Sequence, residues 1–360
     1  MTAAASAMKA KPGKQTAVWN YDFSRVRSLA CLAIVVLHTF FYSQIAAGKF
    51  GYPMSGGAEM TSLLFQTCLM WAVPLFVMVT GALLLDPDRP MSGRKIASRY
   101  ITRVGGALLL FGLLFIVLDL AMGDLPRTGY GFLTGLGHLL TGHSWSHMWY
   151  LYMLLGLYLL LPFFRMMAEH SSERQLRYLL VLLFVFLSLV PILAIWNIET
   201  DYRFSFATIF PFYLFAGYAL HHGAVRLPRW AAWVCFLGGL CATVLITLFG
   251  DETVRTVLTG FNAFPVIFTS IGLFSLMTHG AQSNRVPHTE FGERMLRSFD
   301  RCSFGIYLLH MVFIKLVFRV WGVNAYAQPW IFVLTILGVT LVSWLAIWLL
   351  RFIPGLKKIL

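Results

Sequence analysis

The sequence predicts an all-α, polytopic integral membrane protein of about ten transmembrane helices, with both termini cytoplasmic. Three observations carry this. Of 360 residues, 58% are hydrophobic and only 12% charged, which leaves too little polar surface for a soluble chain of that length. Ten apolar runs of about 19–25 residues recur along the chain, each long enough to cross a hydrocarbon core ~30 Å thick. The basic residues fall overwhelmingly on one side of those runs.

Taken in order, residues 1–20 are small, polar and basic, and read as a disordered cytoplasmic tail. The ten runs span residues 26–46, 61–85, 99–120, 147–165, 177–196, 204–222, 230–249, 256–279, 301–321 and 329–351. The second contains Pro74, which lacks an N–H and kinks a helix, leaving a carbonyl free inside the membrane. Residues 47–60 and 121–146 are expected as outward loops. Residues 280–300 face inward, and TEFGERMLRSF within them reads as a short amphipathic helix lying on the membrane. Trp145, Trp149, Trp196, Trp321 and Trp330 fall at the outer boundary, as interfacial aromatics do.

Charge sets the orientation. With ten spans both termini lie on one side, and that side collects 22 of the 28 Lys and Arg residues. The opposite loops hold four, Lys49, Arg127, Arg203 and Arg255, and the last two, Lys315 and Arg319, lie within the ninth span. Positive charge stays cytoplasmic. The net charge of +13 is therefore topology rather than a nucleic-acid footprint. The first run is too long for a cleaved signal peptide. Five cysteines without CxxC spacing make neither a disulfide framework nor a zinc site.

Chemistry concentrates on the first span. Arg27 opens it and His38 lies eleven residues further on. On a helix that spacing returns to within ~20° of one face and rises ~16 Å. An ionisable group at mid-bilayer depth is a functional candidate by default. Arg27 reads either as a snorkelling anchor or as a phosphate ligand. His38 reads either as an interhelical hydrogen bond or as a general base near pH 7. Arg99 and Arg103 are four residues apart at the mouth of the third span, where a helix places them on one face. The pair is either a topology signal or a second cytoplasmic phosphate clamp.

The fourth span opens with Trp149 and Tyr150, either belt aromatics or site residues. His138, His143 and His147 have no acidic companion at a metalloprotease spacing, so no metal is expected. Tyr307, His310 and Lys315 in the ninth span are candidates to line an interior cavity. Lys315 and Arg319 either snorkel outward or meet an acceptor on the outer side.

These residues, in this order, resemble the acyltransferase-3 family of integral membrane acyltransferases. The resemblance covers about Asn20 to Arg351. It is carried by Arg27, ten residues, then His38; by VPLFVMVTGALLL in the second span; by Arg99 and Arg103; by MWYLYMLLGLYLLLPFF in the fourth; and by FGIYLLH ending at His310. It is nearest to stand-alone bacterial members that O-acetylate surface sugars, the type expected to work without an esterase-like SGNH domain.

The resemblance implies that residues 21–360 form one membrane acyltransferase domain in a bacterial inner membrane. The donor would be a cytoplasmic acyl-CoA, usually acetyl-CoA. The acceptor would be a hydroxyl of an envelope polysaccharide or lipid-linked sugar. His38 and Arg27 would be the catalytic pair, with Arg27, Arg99 and Arg103 holding the CoA phosphates. Trp149, Tyr150, Tyr307, His310 and Lys315 would be oxyanion or substrate contacts. His38 would either deprotonate the acceptor or carry the acyl group itself. The alternative class is a transporter or flippase for an envelope precursor, which would also use intramembrane ionisable residues. No two-fold internal repeat supports it.

Overall fold

The computed structural model describes residues 19–51, 54–89, 91–198, 200, 208–278, 286–321 and 329–360. All but the end of the basic tail lies outside the described residues. Every regular element among the described residues is helical. Eight helical segments among those residues, with contiguous pieces joined, are long and apolar enough to cross a membrane. The expected sixth and eighth spans are shorter helices, of 12 and 15 residues, and residues 204–207 of the sixth lie outside the described residues. The molecule is an all-α polytopic membrane protein.

Helix α1 (Tyr21–Phe50) starts where the Asn20 side chain accepts from the Phe23 amide, and ends on Gly51 at φ 71°. The second span is broken into α2 (Gly56–Cys68) and α3 (Ala72–Leu84). The break fits Pro74, which cannot bond to the Met70 carbonyl and crowds it. Tight bonds from Met70 N to Thr67 O and from Ala72 N to Leu69 O carry the chain through.

The third span opens with α4 (Gly93–Lys95), passes through a π turn at Ile96–Ile101, and continues as α5 (Thr102–Met122). Inside the expected outward loop 121–146 lies a further helix, α6 (Gly129–Thr141). Then follow α7 (Trp149–His170), α8 (Glu173–Phe184), α9 (Phe210–His221), α10 (Arg229–Phe249), α11 (Glu252–Leu258) and α12 (Phe264–Thr278). The chain closes with α13 (Glu290–Trp321), α14 (Pro329–Leu350) and α15 (Pro354–Ile359).

One expectation is corrected here. TEFGERMLRSF is not a separate surface helix: Glu290–Phe299 forms the first turns of α13, a single helix of 32 residues. Glu293 and Arg297 on this stretch meet Tyr21 of α1.

Helices α1 and α13 lie side by side in parallel register. Tyr21 bonds to Glu293, Cys31 to Ser303 O and His38 to His310, each across 272 residues of sequence. A constant offset over 17 residues of α1 keeps one face on one partner along most of the helix. Elsewhere glycines permit close crossings. A methyl at Gly81 of α3 would overlap Leu214 O of α9, and one at Gly217 of α9 would overlap Met78 O. Small residues at a crossing are how membrane helices approach without a hydrophobic drive.

The two ends of the bundle differ. At one end Tyr21 meets Glu293 and Arg297, Arg351 donates to Arg301 O, and Arg103 reaches Ile359 O in α15. At the other end Lys49 pairs with Asp124, and Arg319 donates to Met122 O. Leu109, Leu113 and Val117 of α5 and Leu334, Leu337 and Leu341 of α14 are exposed, as the lipid face of a span requires. Trp196 and Trp330 are exposed too, but Trp145 is buried and stacks on Phe115 at 4.2 Å. Trp145 is therefore an interior residue, not a belt aromatic. The Trp321 side chain lies outside the described residues.

Candidate active site

The site is built on the α1–α13 seam. At the basic end, Arg27 forks onto Asp300 of α13, Nε to Oδ1 at 2.6 Å and Nη2 to Oδ2 at 2.7 Å. Ser24 Oγ donates to Asp300 Oδ2 at 2.7 Å. Asp300 is buried, while the Arg27 side chain keeps 26% exposure. A buried carboxylate needs such a partner, and the fork fixes the guanidinium in one plane.

Arg27 also borders a cavity of about 320 Å³, near the small end of the range for ligand pockets. Arg89, Tyr100 and Arg103 stand around it with Arg27 and Asp300, and Phe76, Leu154 and Phe304 supply apolar wall. Tyr150, Tyr158 and Tyr307 also line it. From Asp300 to Tyr307 the seam rises ~10 Å along α13.

Of the two arginines of the third span, only Arg103 reaches this cavity; Arg99 is exposed and outside the lining. Arg99 lies inside the π turn at Ile96–Ile101, and Arg103 lies in the first turn of α5. Arg103 lies over the Phe304 ring at 4.9 Å and donates to Ile359 O and Leu360 O at 3.1 and 2.5 Å.

One helical turn beyond Tyr307 is the histidine cluster. His310 is fully buried. Its Nδ1 lies 3.1 Å from Ile306 O, and its Nε2 lies 2.8 Å from His38 Nδ1. A carbonyl oxygen only accepts, so His310 Nδ1 carries the hydrogen. In the neutral pair His310 Nε2 is then the acceptor and His38 Nδ1 the donor. That leaves a lone pair on His38 Nε2, on a ring only partly buried. The network thus assigns the tautomer. A third imidazole, His147, joins the cluster, its ring 6.2 Å from that of His38 and 5.5 Å from that of His310.

The remaining candidates separate. Tyr307 donates to His147 O and stands between the cavity and the histidines, its ring 5.9 Å from that of His310. The Tyr150 ring packs against Tyr307 at 5.2 Å. Trp149 points elsewhere, against Phe210 and Phe261. Lys315 lies over Trp145, 3.6 Å from the ring centre, and faces Asp119 Oδ1 at 3.4 Å and Asp124 Oδ2 at 3.9 Å. Arg319 is 3.9 Å from Asp124. Both outer cations thus have acidic partners within the chain. His138 and His143 are exposed on and after α6, and only His147 of the three enters the interior.

Sequence reasoning misses Asp300, Arg89 and the placement of His147. Asp300 sits between Arg297 and Arg301 in a stretch that resembles a surface helix. The signal available was its position, ten residues before His310 as Arg27 is eleven before His38.

No curated protein and no solved structure matches the chain. A protein-family model described as an acyltransferase domain matches residues 20–348, from the cap of α1 almost to the end of α14. The chain belongs to the acyltransferase-3 family and is a multi-pass membrane acyltransferase.

Proposed function

We propose that the protein is an O-acetyltransferase moving an acetyl group from cytoplasmic acetyl-CoA to a hydroxyl of an envelope polysaccharide or lipid-linked sugar in a bacterial inner membrane. The observation that carries this reading is the Ile306–His310–His38 chain of hydrogen bonds, which leaves His38 Nε2 as a base. Hydroxyls are weak nucleophiles at neutral pH, and a positioned base contributes ~10²–10⁴-fold.

The donor enters from the basic end. Its anionic head is held by Arg27, Arg89 and Arg103 around the cavity, with Arg99 at the rim. Its thioester arm runs along the α1–α13 seam past Tyr150 and Tyr307. Arg27 is pre-oriented for phosphate by Asp300, and bidentate guanidinium geometry suits that ligand. The acceptor hydroxyl attacks the thioester carbonyl as His38 takes its proton. A new C–O bond forms, the C–S bond breaks, and the proton passes from His38 to the departing thiolate. Tyr307 is the barrier that must shift for the arm to meet His38. Family membership favours this over a flippase, which has no use for a thioester donor.

The test is the O-acetyl content of envelope glycan, by mass spectrometry, in a deletion strain and its parent. The proposal expects acetyl esters present in the parent and missing in the deletion. Identical ester content in the two strains rejects the assignment of acceptor class.

A further inference from the structure

At the centre of the site a ring nitrogen has no hydrogen-bond partner among the described residues. His147 is fully buried, and its Nδ1 makes no hydrogen bond. Its other ring nitrogen, Nε2, lies 3.2 Å from Leu308 O of α13. A carbonyl only accepts, so Nε2 carries the hydrogen and Nδ1 of the neutral ring holds a lone pair. Its backbone is also pinned, because Tyr307 donates to the His147 carbonyl. The ring is thus locked between Phe115, Trp145 and Tyr307 on one hand and His38 and His310 on the other.

A buried acceptor left unfilled is a liability that folded proteins avoid. A residue that only clamped Leu308 would need a donor at the Nε2 position and nothing at Nδ1. An unfilled lone pair on a ring 6.2 Å from that of His38 has a use when a positive charge arises there. Protonation of His38 at Nε2 creates one.

We infer that His147 is a positioning residue acting through His38, its Nδ1 lone pair supporting His38 in the protonated state. The inference rests on the reading of His38 as the base. At rest, His38 donates from Nδ1 to His310 Nε2. As the acceptor hydroxyl attacks, the ester C–O bond forms, the thioester C–S bond breaks and the hydroxyl proton moves to His38 Nε2. His38 then bears hydrogen on both nitrogens. His310 Nε2 accepts from one, and the Nδ1 lone pair of His147, on a ring 6.2 Å from that of His38, offsets the positive charge while the other faces the leaving thiolate. The thiolate takes that proton and leaves as free CoA.

Two isosteres separate this role from a structural one. Counted in bonds from the backbone, a glutamine amide reaches the Nε2 position and an asparagine amide the Nδ1 position. The His147→Gln variant keeps the bond to Leu308 and loses the lone pair at the Nδ1 position. The His147→Asn variant does the reverse. Membranes from the deletion strain, complemented with each full-length variant, are given radiolabelled acetyl-CoA, and label is counted in their own glycan. The inference expects His147→Gln to lower the maximal rate about tenfold or more, with the KM for acetyl-CoA unchanged and normal protein levels, and His147→Asn to retain clearly more rate. Any other order, equal loss included, overturns it. His38→Ala is measured in parallel. Full activity there removes the base reading itself, whereas an inactive His38→Ala beside an active His147→Gln removes only the role of His147.

Discussion

Arg27 is held by Asp300 before any donor arrives, so its two jobs must be separated in any experiment. Removing one member of a desolvated pair strands the other, at a cost of about 3 kcal/mol. Arg27→Ala is therefore expected to lose both stability and donor binding, which makes it a poor test alone. The double variant Arg27→Met/Asp300→Leu removes both charges together, and apolar replacement of such pairs is often near neutral. It should recover thermal stability to within about 1 kcal/mol of the parent while acetyl-CoA binding stays weak. Calorimetric titration of the purified variant decides the matter. Parental donor affinity in that double variant would reduce Arg27 to a structural residue.

At the scale of elements, the crossing of α3 and α9 brings Gly81 against Leu214 O and Gly217 against Met78 O. Backbone cannot yield as a flexible side chain does, and overpacking costs typically ~1–3 kcal/mol. Gly81→Val is expected to lower the unfolding temperature and the yield of monodisperse protein. Gly137→Val on α6, where a Cβ meets open space, serves as the control and should change neither. Equal melting temperatures for the two variants would show that the crossing tolerates separation. The long helices were legible in the sequence because a long apolar run in water is unstable, and inside a bilayer a helix satisfies its backbone. The break before Pro74 was legible from the missing amide. The union of Glu290–Phe299 with α13 was not. Amphipathic periodicity reports that one face is polar, and it does not say whether lipid headgroups or the first turn of another helix satisfies that face.

At the scale of the whole molecule, α1, α5 and α13 all run from the basic end to the end that carries Lys49, Asp124 and Arg319. The charge bias predicts that the basic end faces the cytoplasm. A cysteine at Lys49 should label with an impermeant maleimide in intact spheroplasts, and one at Arg294 only after permeabilisation. The native cysteines set the background, and the opposite pattern would invert the molecule. The same parallel arrangement explains what the sequence could and could not convey about the site. Arg27 and His38 stand out because an ionisable group inside an apolar run is costly wherever it packs. Their partners, Asp300 and His310, are found only once a register of 272 residues between α1 and α13 is known. His147 was visible as a residue, but its place near His38 follows from the packing of the turn before α7 against α13, which no local pattern encodes.

The central claim is that His38, oriented by His310, is the base for acyl transfer. It is tested most directly by the rate of label transfer from radiolabelled acetyl-CoA to endogenous glycan in membranes carrying His38→Ala. With protein levels matched to the parent, the rate should fall by about 10²-fold or more. A parental rate in those membranes would contradict the account.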